Sequence, residues 1–127
     1  MYESAFPATD RDGELAGELL DVVNASELEA FLTRLAGPAA GRELLGVLRR
    51  TAERTLSTVT AGAPGASAAN TAARVFGLEL EGMSAEDRDY EIACQFVRFA
   101  RAAAAHAARA PAGEAVARAG RAFAPGL

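Results

Sequence analysis

FGLELEGMSAEDRDYEIACQFVRFARAAAAHAARA, residues 76–110, is the stretch whose reading decides the fold of this chain. Gly77 and Gly82 bracket a short alternation, Leu78-Glu79-Leu80-Glu81. Ser84 then stands where a helix N-cap belongs, with Glu86 and Asp87 in the first turn. Ser84 and Asp87 fit the [ST]-x-x-[DE] capping pattern, in which side-chain oxygens accept from amides that have no partner within the helix. First-turn carboxylates oppose the positive end of the helix dipole, and Arg98, Arg101 and Arg109 lie towards the negative end. Beyond the cap, Tyr90, Ala93, Val97, Ala100 and Ala104 fall on one face, and Ile92, Phe96, Phe99 and Ala103 on an adjacent one. So wide an apolar arc can touch two neighbouring helices at once, which makes residues 85–109 the central helix. Pro111 ends it by pushing residue 110 out of the α region.

Working outward, the remaining segments read as shorter helices. Residues 1–9 show no periodicity and are expected to form a mobile tail. Asp10-Arg11-Asp12-Gly13 is a fragment of a calcium-loop pattern without its third acid or closing Glu, and reads instead as a helix start. Leu15, Leu19, Val22 and Val23 then recur at helical spacing until Asn24. Ser26 and Glu29 form a second capping box ahead of Leu28, Phe31, Leu32 and Leu35, and Gly37 closes that helix. From Pro38 or Gly41 to about Thr60 runs a helix with Leu44, Leu45, Val47, Leu48, Ala52, Leu56 and Val59 inward and Arg42, Arg49, Arg50 and Arg54 outward. Residues 61–67, AGAPGAS, read as a flexible loop. A short helix over 68–76 follows, with Val75 and Phe76 as anchors. The last helix, 114–123, directs Val116 and Phe123 inward, and residues 125–127 are expected to fray. The fold expected is therefore all-α: one domain over residues 10–127, five or six helices packed around the helix at 85–109.

Composition narrows function. The 127 residues carry a net charge of −4 with aromatics at 6%, and all thirteen basic residues are arginine. Alanine supplies much of the apolar half, so helices approach closely while each buries little area. Charge is blocked: −6 over residues 1–37, +3 over 38–77, −5 over 78–91 and +4 over 92–127. Such blocks can pair within a fold or between copies, and they form no uniform basic face for nucleic acid. The residues expected to carry interaction are Glu79, Glu81, Glu86, Asp87 and Asp89 on the acidic side, with Arg42, Arg49, Arg50, Arg54, Arg98 and Arg101 on the basic side. One cysteine, no apolar run of transmembrane length and no signal-like opening favour a cytoplasmic protein, or one exported with a particle without a cleaved signal.

Catalytic chemistry has little to stand on. Cys94 and His106 lie twelve residues apart on one helix, about 18 Å between α-carbons at 1.5 Å per residue, and cannot act together within a chain. Cys94 reads as a small buried hydrophobe. The acids of 79–91 would suit a divalent cation or acid–base work, but capping and solubility account for them more simply. No phosphate-binding loop or nucleophile elbow occurs. No catalytic residue, metal, cofactor or small-molecule substrate is therefore assigned. The basic amphipathic helix 42–60 offers an alternative, a membrane-active cargo or toxin. Against it, no tryptophan anchors the helix and Glu43 and Glu53 interrupt its charge.

Residues 75–108 resemble the C-terminal part of an uncharacterised family of small actinobacterial and cyanobacterial proteins. The shared pattern is FGLELEG-x-S-x-EDR-x-x-E-x-A-x-x-FVR, matched by Phe76 to Gly82, Ser84, Glu86 to Arg88, Glu91, Phe96, Val97 and Arg98. An ELEAFL-type helix and a basic helix such as LLGVLRRTAERTL precede it in both. The family is associated with gene clusters for contractile, phage-tail-like injection particles, and the resemblance implies a non-enzymatic accessory or cargo protein with a protein partner or further copies of itself. Relatives often carry a longer glycine-rich apolar segment before the motif. AGAPGASAANTAA stands in its place here, which removes support for a membrane-inserting role.

Overall fold

The computed structural model describes residues 7–37, 41–56 and 65–127. Among them six helices form a small all-α bundle: α1 (Pro7–Leu20), α2 (Ala25–Ala36), α3 (Arg42–Thr55), α4 (Gly65–Phe76), α5 (Ala85–Ala107) and α6 (Ala112–Phe123). The expectations for residues 1–6, Pro38, Val59 and residues 61–64 fall outside the described residues.

Helix α5 is central in the literal sense, since it packs against each of the other five helices. Its cap is the expected one: the Ser84 hydroxyl accepts from the Asp87 amide at 3.1 Å. Ile92, Ala93, Phe96, Val97, Phe99, Ala100 and Ala103 are all buried. Tyr90, expected inward, is 44% exposed, because its ring lies across α1 at the edge of the bundle. Phe76 at the end of α4 meets Phe99 with ring centroids 6.4 Å apart and planes tilted by 56°. Alanines at positions 16, 52, 72, 93, 100, 103, 115 and 119 are fully enclosed, so the backbones approach closely. A few large side chains, Phe31, Phe96 and Phe99 foremost, supply the bulk of the buried area, each worth about 2–3 kcal/mol of transfer free energy.

Several boundaries differ from the sequence reading, each for a physical reason. Helix α1 begins at Pro7, so residues 7–9 of the expected tail are helical, and Asp10 to Gly13 lie inside the helix rather than at its start. Proline fits there because its missing N–H is one that no intrahelical carbonyl would use. The chain then leaves α1 through the bonds Asp21 N–H to Glu18 O and Val22 N–H to Leu19 O. Asn24, expected to end that helix, instead caps α2, its side chain accepting from the Glu27 amide at 2.8 Å. Glu27 reaches back to accept from the Val23 amide at 3.1 Å. This reciprocal pair displaces the Ser26–Glu29 box by two positions. Helix α3 stops at Thr55 and Leu56 is extended, short of the expected Thr60. The hydroxyls of Thr51 and Thr55 bond back to the carbonyls of Val47 and Thr51, which satisfies them in the core but favours bending and ending a helix. Helix α4 begins at Gly65 and so includes residues 65–67 of the expected loop. In α6 the inward residues are Ala115, Ala119 and Gly120, whereas Val116 and Phe123 are only half-buried, because α5 sits close enough to exclude larger side chains.

Two connections position the ends of the bundle. Gly77, at φ +67°, lets the Leu78 amide reach back to the Ala73 carbonyl at 3.0 Å, a Schellman closure of α4. Leu80 is buried and Leu78 half-buried, so the short alternation does seat its leucines in the core, without strand pairing among the described residues. Residues 125–127, expected to fray, are tied down. The Gly126 amide donates to the Val75 carbonyl at 2.9 Å, one of the last-turn carbonyls of α4 that the helix itself leaves open. Only glycine fits, since a Cβ there would overlap the Arg74 carbonyl.

Candidate functional site

The densest side-chain chemistry in the molecule lies where α1 crosses α5. Asp12 faces inward from α1, its side chain only 10% exposed, and meets two guanidiniums one turn apart on α5. Arg101 Nη1 donates to Asp12 Oδ1 at 2.6 Å, and Arg98 Nε stands 3.5 Å from Asp12 Oδ2. Arg98 Nη1 also donates to Gln95 Oε1 at 3.2 Å, and Gln95 Nε2 donates to the Phe123 carbonyl at 3.1 Å. One polar chain thus ties α1 to α5 and α5 to the open end of α6. A carboxylate removed from water needs such charge-assisted partners, and two arginines supply them in a fork geometry suited to it.

Beside this joint sit Tyr90 and Cys94, one helical turn apart on α5. Gly13 of α1 leaves room for the Tyr90 hydroxyl; a Cβ there would come within 2.9 Å of it. Burial pushes the Cys94 thiol above its ordinary value, and the hydrogen bond from Tyr90 with the nearby Arg98 charge offsets this only in part. The Tyr90 phenol is raised as well, first by its hydrogen bond to Cys94. The thiol stays protonated at neutral pH and is enclosed, which makes it a poor nucleophile.

The expected interaction residues divide. Arg98 and Arg101 are drawn together onto Asp12 and serve the fold. Arg42, Arg49, Arg50 and Arg54 are all exposed along α3, and among the described residues none of them forms an ion pair. Glu79, Glu81, Glu86 and Asp87 are exposed around the start of α5 and are likewise free of ion pairs among those residues, while the half-buried Asp89 is engaged. Two further ion pairs join Glu18 to Arg34 across α1 and α2 at 3.0 Å, and Glu114 to Arg118 within α6 at 2.6 Å. His106, in the last turn of α5, lines a separate cleft of about 510 Å³ with Arg109 and the Glu114–Arg118 pair, well away from Cys94 along the helix. Among the described residues no group of three His, Cys, Asp or Glu could hold a metal ion.

Asp12 and Gln95 are the residues that sequence reasoning missed. Asp12 did carry a signal: it precedes Ala16 by four positions and Leu19 by seven, so an uninterrupted α1 places it on the buried stripe. Gln95 carried none, because its partner is a backbone carbonyl 28 residues away.

Among the described residues the arrangement defines a six-helix bundle, braced by ion pairs between side chains, with the arginines of α3 and the acids Glu79, Glu81, Glu86 and Asp87 facing outward in separate groups. A scan of family models and searches of curated proteins and of solved structures each found no match to this chain.

Proposed function

We propose that this protein is a non-catalytic interaction or assembly protein, an accessory or cargo of a larger bacterial particle, working through complementary charged surfaces. The observation that carries this reading is the pair of unneutralised groups: Arg42, Arg49, Arg50 and Arg54 on α3, and Glu79, Glu81, Glu86 and Asp87 at the start of α5, with no ion pair between them among the described residues. Opposite charges that the fold leaves apart are available to another molecule, and a second copy of the chain offers both signs. The resemblance of residues 75–108 to proteins of contractile injection clusters supports a particle as the setting.

The membrane-active alternative draws less support. The apolar stripe of α3 that a bilayer would need, Leu44, Leu48, Ala52 and Leu56, is already buried in the bundle. Among the described residues no helix is long and apolar enough to cross a membrane.

Sedimentation velocity tests self-association. A species larger than the monomer at about 20 mM salt should dissociate at about 500 mM, where the screening length falls to about 4 Å. Monomer at both concentrations removes self-association. Sedimentation of host lysate with and without mild detergent tests the particle: pelleting in both conditions supports it, and a protein that stays in the supernatant refutes it.

A further inference from the structure

A groove of about 280 Å³ runs between α2 and α3, lined by Glu29 and Leu32 of α2 and by Arg42, Leu45, Gly46 and Arg49 of α3. We propose that it seats the acidic turn of a second copy of this chain, residues 79–87, so that copies join head to tail. The proposal rests on the assembly reading above and names its contact.

Charge and shape meet at this groove. Arg42, Leu45, Gly46 and Arg49 recur at i, i+3, i+4 and i+7, so one face of α3 sets two arginines around an apolar centre. It is not the face in the core, which carries Leu44, Leu48 and Ala52. Among the described residues neither arginine forms an ion pair, and neither does Glu29. With two guanidiniums against one carboxylate, the lining keeps one positive charge in excess. Gly46 adds an independent observation. Glycine inside a helix is unfavourable relative to alanine, and here the fold does not require it. A Cβ at Gly46 would meet Arg50 Nη1 at 3.6 Å, an ordinary contact with the end of a flexible side chain. What the missing side chain leaves open is the groove, where another backbone can come close to α3.

The acidic turn has the matching chemistry. Glu79, Glu81, Glu86 and Asp87 are exposed, without an ion pair among the described residues, around the turn made at Gly82 with φ +84°. Met83 stands half-buried among them. Carboxylates flanking one apolar side chain complement arginines flanking Leu32 and Leu45. The groove is smaller than the roughly 300–1,000 Å³ of small-molecule sites, and suits a few side chains of a larger partner. Because the groove and the turn belong to different elements, each copy offers one and receives the other, a heterologous contact.

Sedimentation velocity of full-chain variants at about 20 mM salt tests this. Gly46→Leu fills the groove, leaves every charge in place and raises helix propensity. It should melt no earlier than the unaltered chain and associate at least about tenfold more weakly. The double variant Arg42→Glu with Arg49→Glu, and the triple variant Glu79→Gln with Glu81→Gln and Glu86→Gln, should each be monomeric alone. An equimolar mixture of the two should form a heterodimer, the turn of the first seated in the groove of the second. Gly46→Leu association within about twofold of the unaltered chain, self-association of either charge variant, or a mixture that stays monomeric would each overturn the proposal. In those outcomes, salt-sensitive association of the unaltered chain leaves the assembly reading standing, whereas an unaltered chain that is monomeric at low salt removes self-association and this contact together. Should the arginine variant melt early, Gly46→Leu and the triple variant still decide the matter.

Discussion

The arginines of α5 and those of α3 are the same residue type put to opposite uses. Arg98 and Arg101 converge on one inward-facing carboxylate and hold α1 to the central helix. Arg49, Arg50 and Arg54 line a helix whose apolar side is equally well buried, yet their head groups stay in solvent without an ion pair among the described residues. Position relative to another element, and not composition, separates them: α1 lies across the Arg98–Arg101 side of α5 and brings an acid with it. Charge on a helix becomes structural where a neighbour excludes water from it, and otherwise remains for other molecules.

The contrast can be broken most sharply at Asp12. Asp12→Ala leaves two guanidiniums facing each other at the joint and should cost about 2–3 kcal/mol, less than a fully buried pair because both arginines keep over a third of their exposure. Urea unfolding measures it, and a loss under about 0.5 kcal/mol would place the ion pairs of α5 on the same footing as surface charge.

A second, smaller effect is expected at the other end of the bundle. Gly126→Val cannot keep the bond to the Val75 carbonyl without moving the Arg74 backbone, and should destabilise by about 1–2 kcal/mol. Hydrogen exchange at the Gly126 amide reports the same undocking directly. An amide that exchanges as fast as a free chain in the unaltered protein contradicts the tie.

The Tyr90–Cys94 corner predicts a dependence on alkaline pH. Both groups are held above their ordinary values, 10.0 for the phenol and 9.0 for the thiol, so the folded state favours their protonated forms. Their contribution to stability is complete below those values and is lost as pH rises through the raised ones. The urea midpoint should fall from about pH 9 upward, and Cys94→Ala should remove part of the slope. A midpoint that holds steady to pH 11 would contradict the assignment.

The smallest effect on stability, and the largest on association, is expected from α3. Replacing Arg49, Arg50 and Arg54 with Glu should change unfolding free energy by about 0.5 kcal/mol or less per site, since among the described residues none of them forms an ion pair. The same variant should stay monomeric at low salt. If it unfolds instead, the outward arginines are structural and the comparison with α5 fails.

Much of the bundle was legible residue by residue. The Ser84 cap, the closing glycines Gly37 and Gly77 and the wide arc of α5 all depend on contacts within about five positions, and all were readable. The start of α2 was readable only in part, because Asn24–Glu27 and Ser26–Glu29 offer nearly equivalent boxes two residues apart, and the amide of Val23 decided between them. The outward placement of Arg42, Arg49, Arg50 and Arg54 on α3 was readable from periodicity. The joint was not, even though Asp12 stood in phase with Leu19, because reading Asp10 to Gly13 as a helix start took that acid off the stripe.

Helix type and the choice of a centre, and the number of helices to within one, were contained in the chain's order of residues, since periodicity and caps are local and repeat every turn. Tertiary structure alone decided that Asp12 answers Arg101 across 89 positions, that Gln95 reaches the end of α6, and that Gly126 completes α4. Such partners are chosen by how close two backbones come, and in an alanine-lined core that distance emerges only when all six helices are packed together.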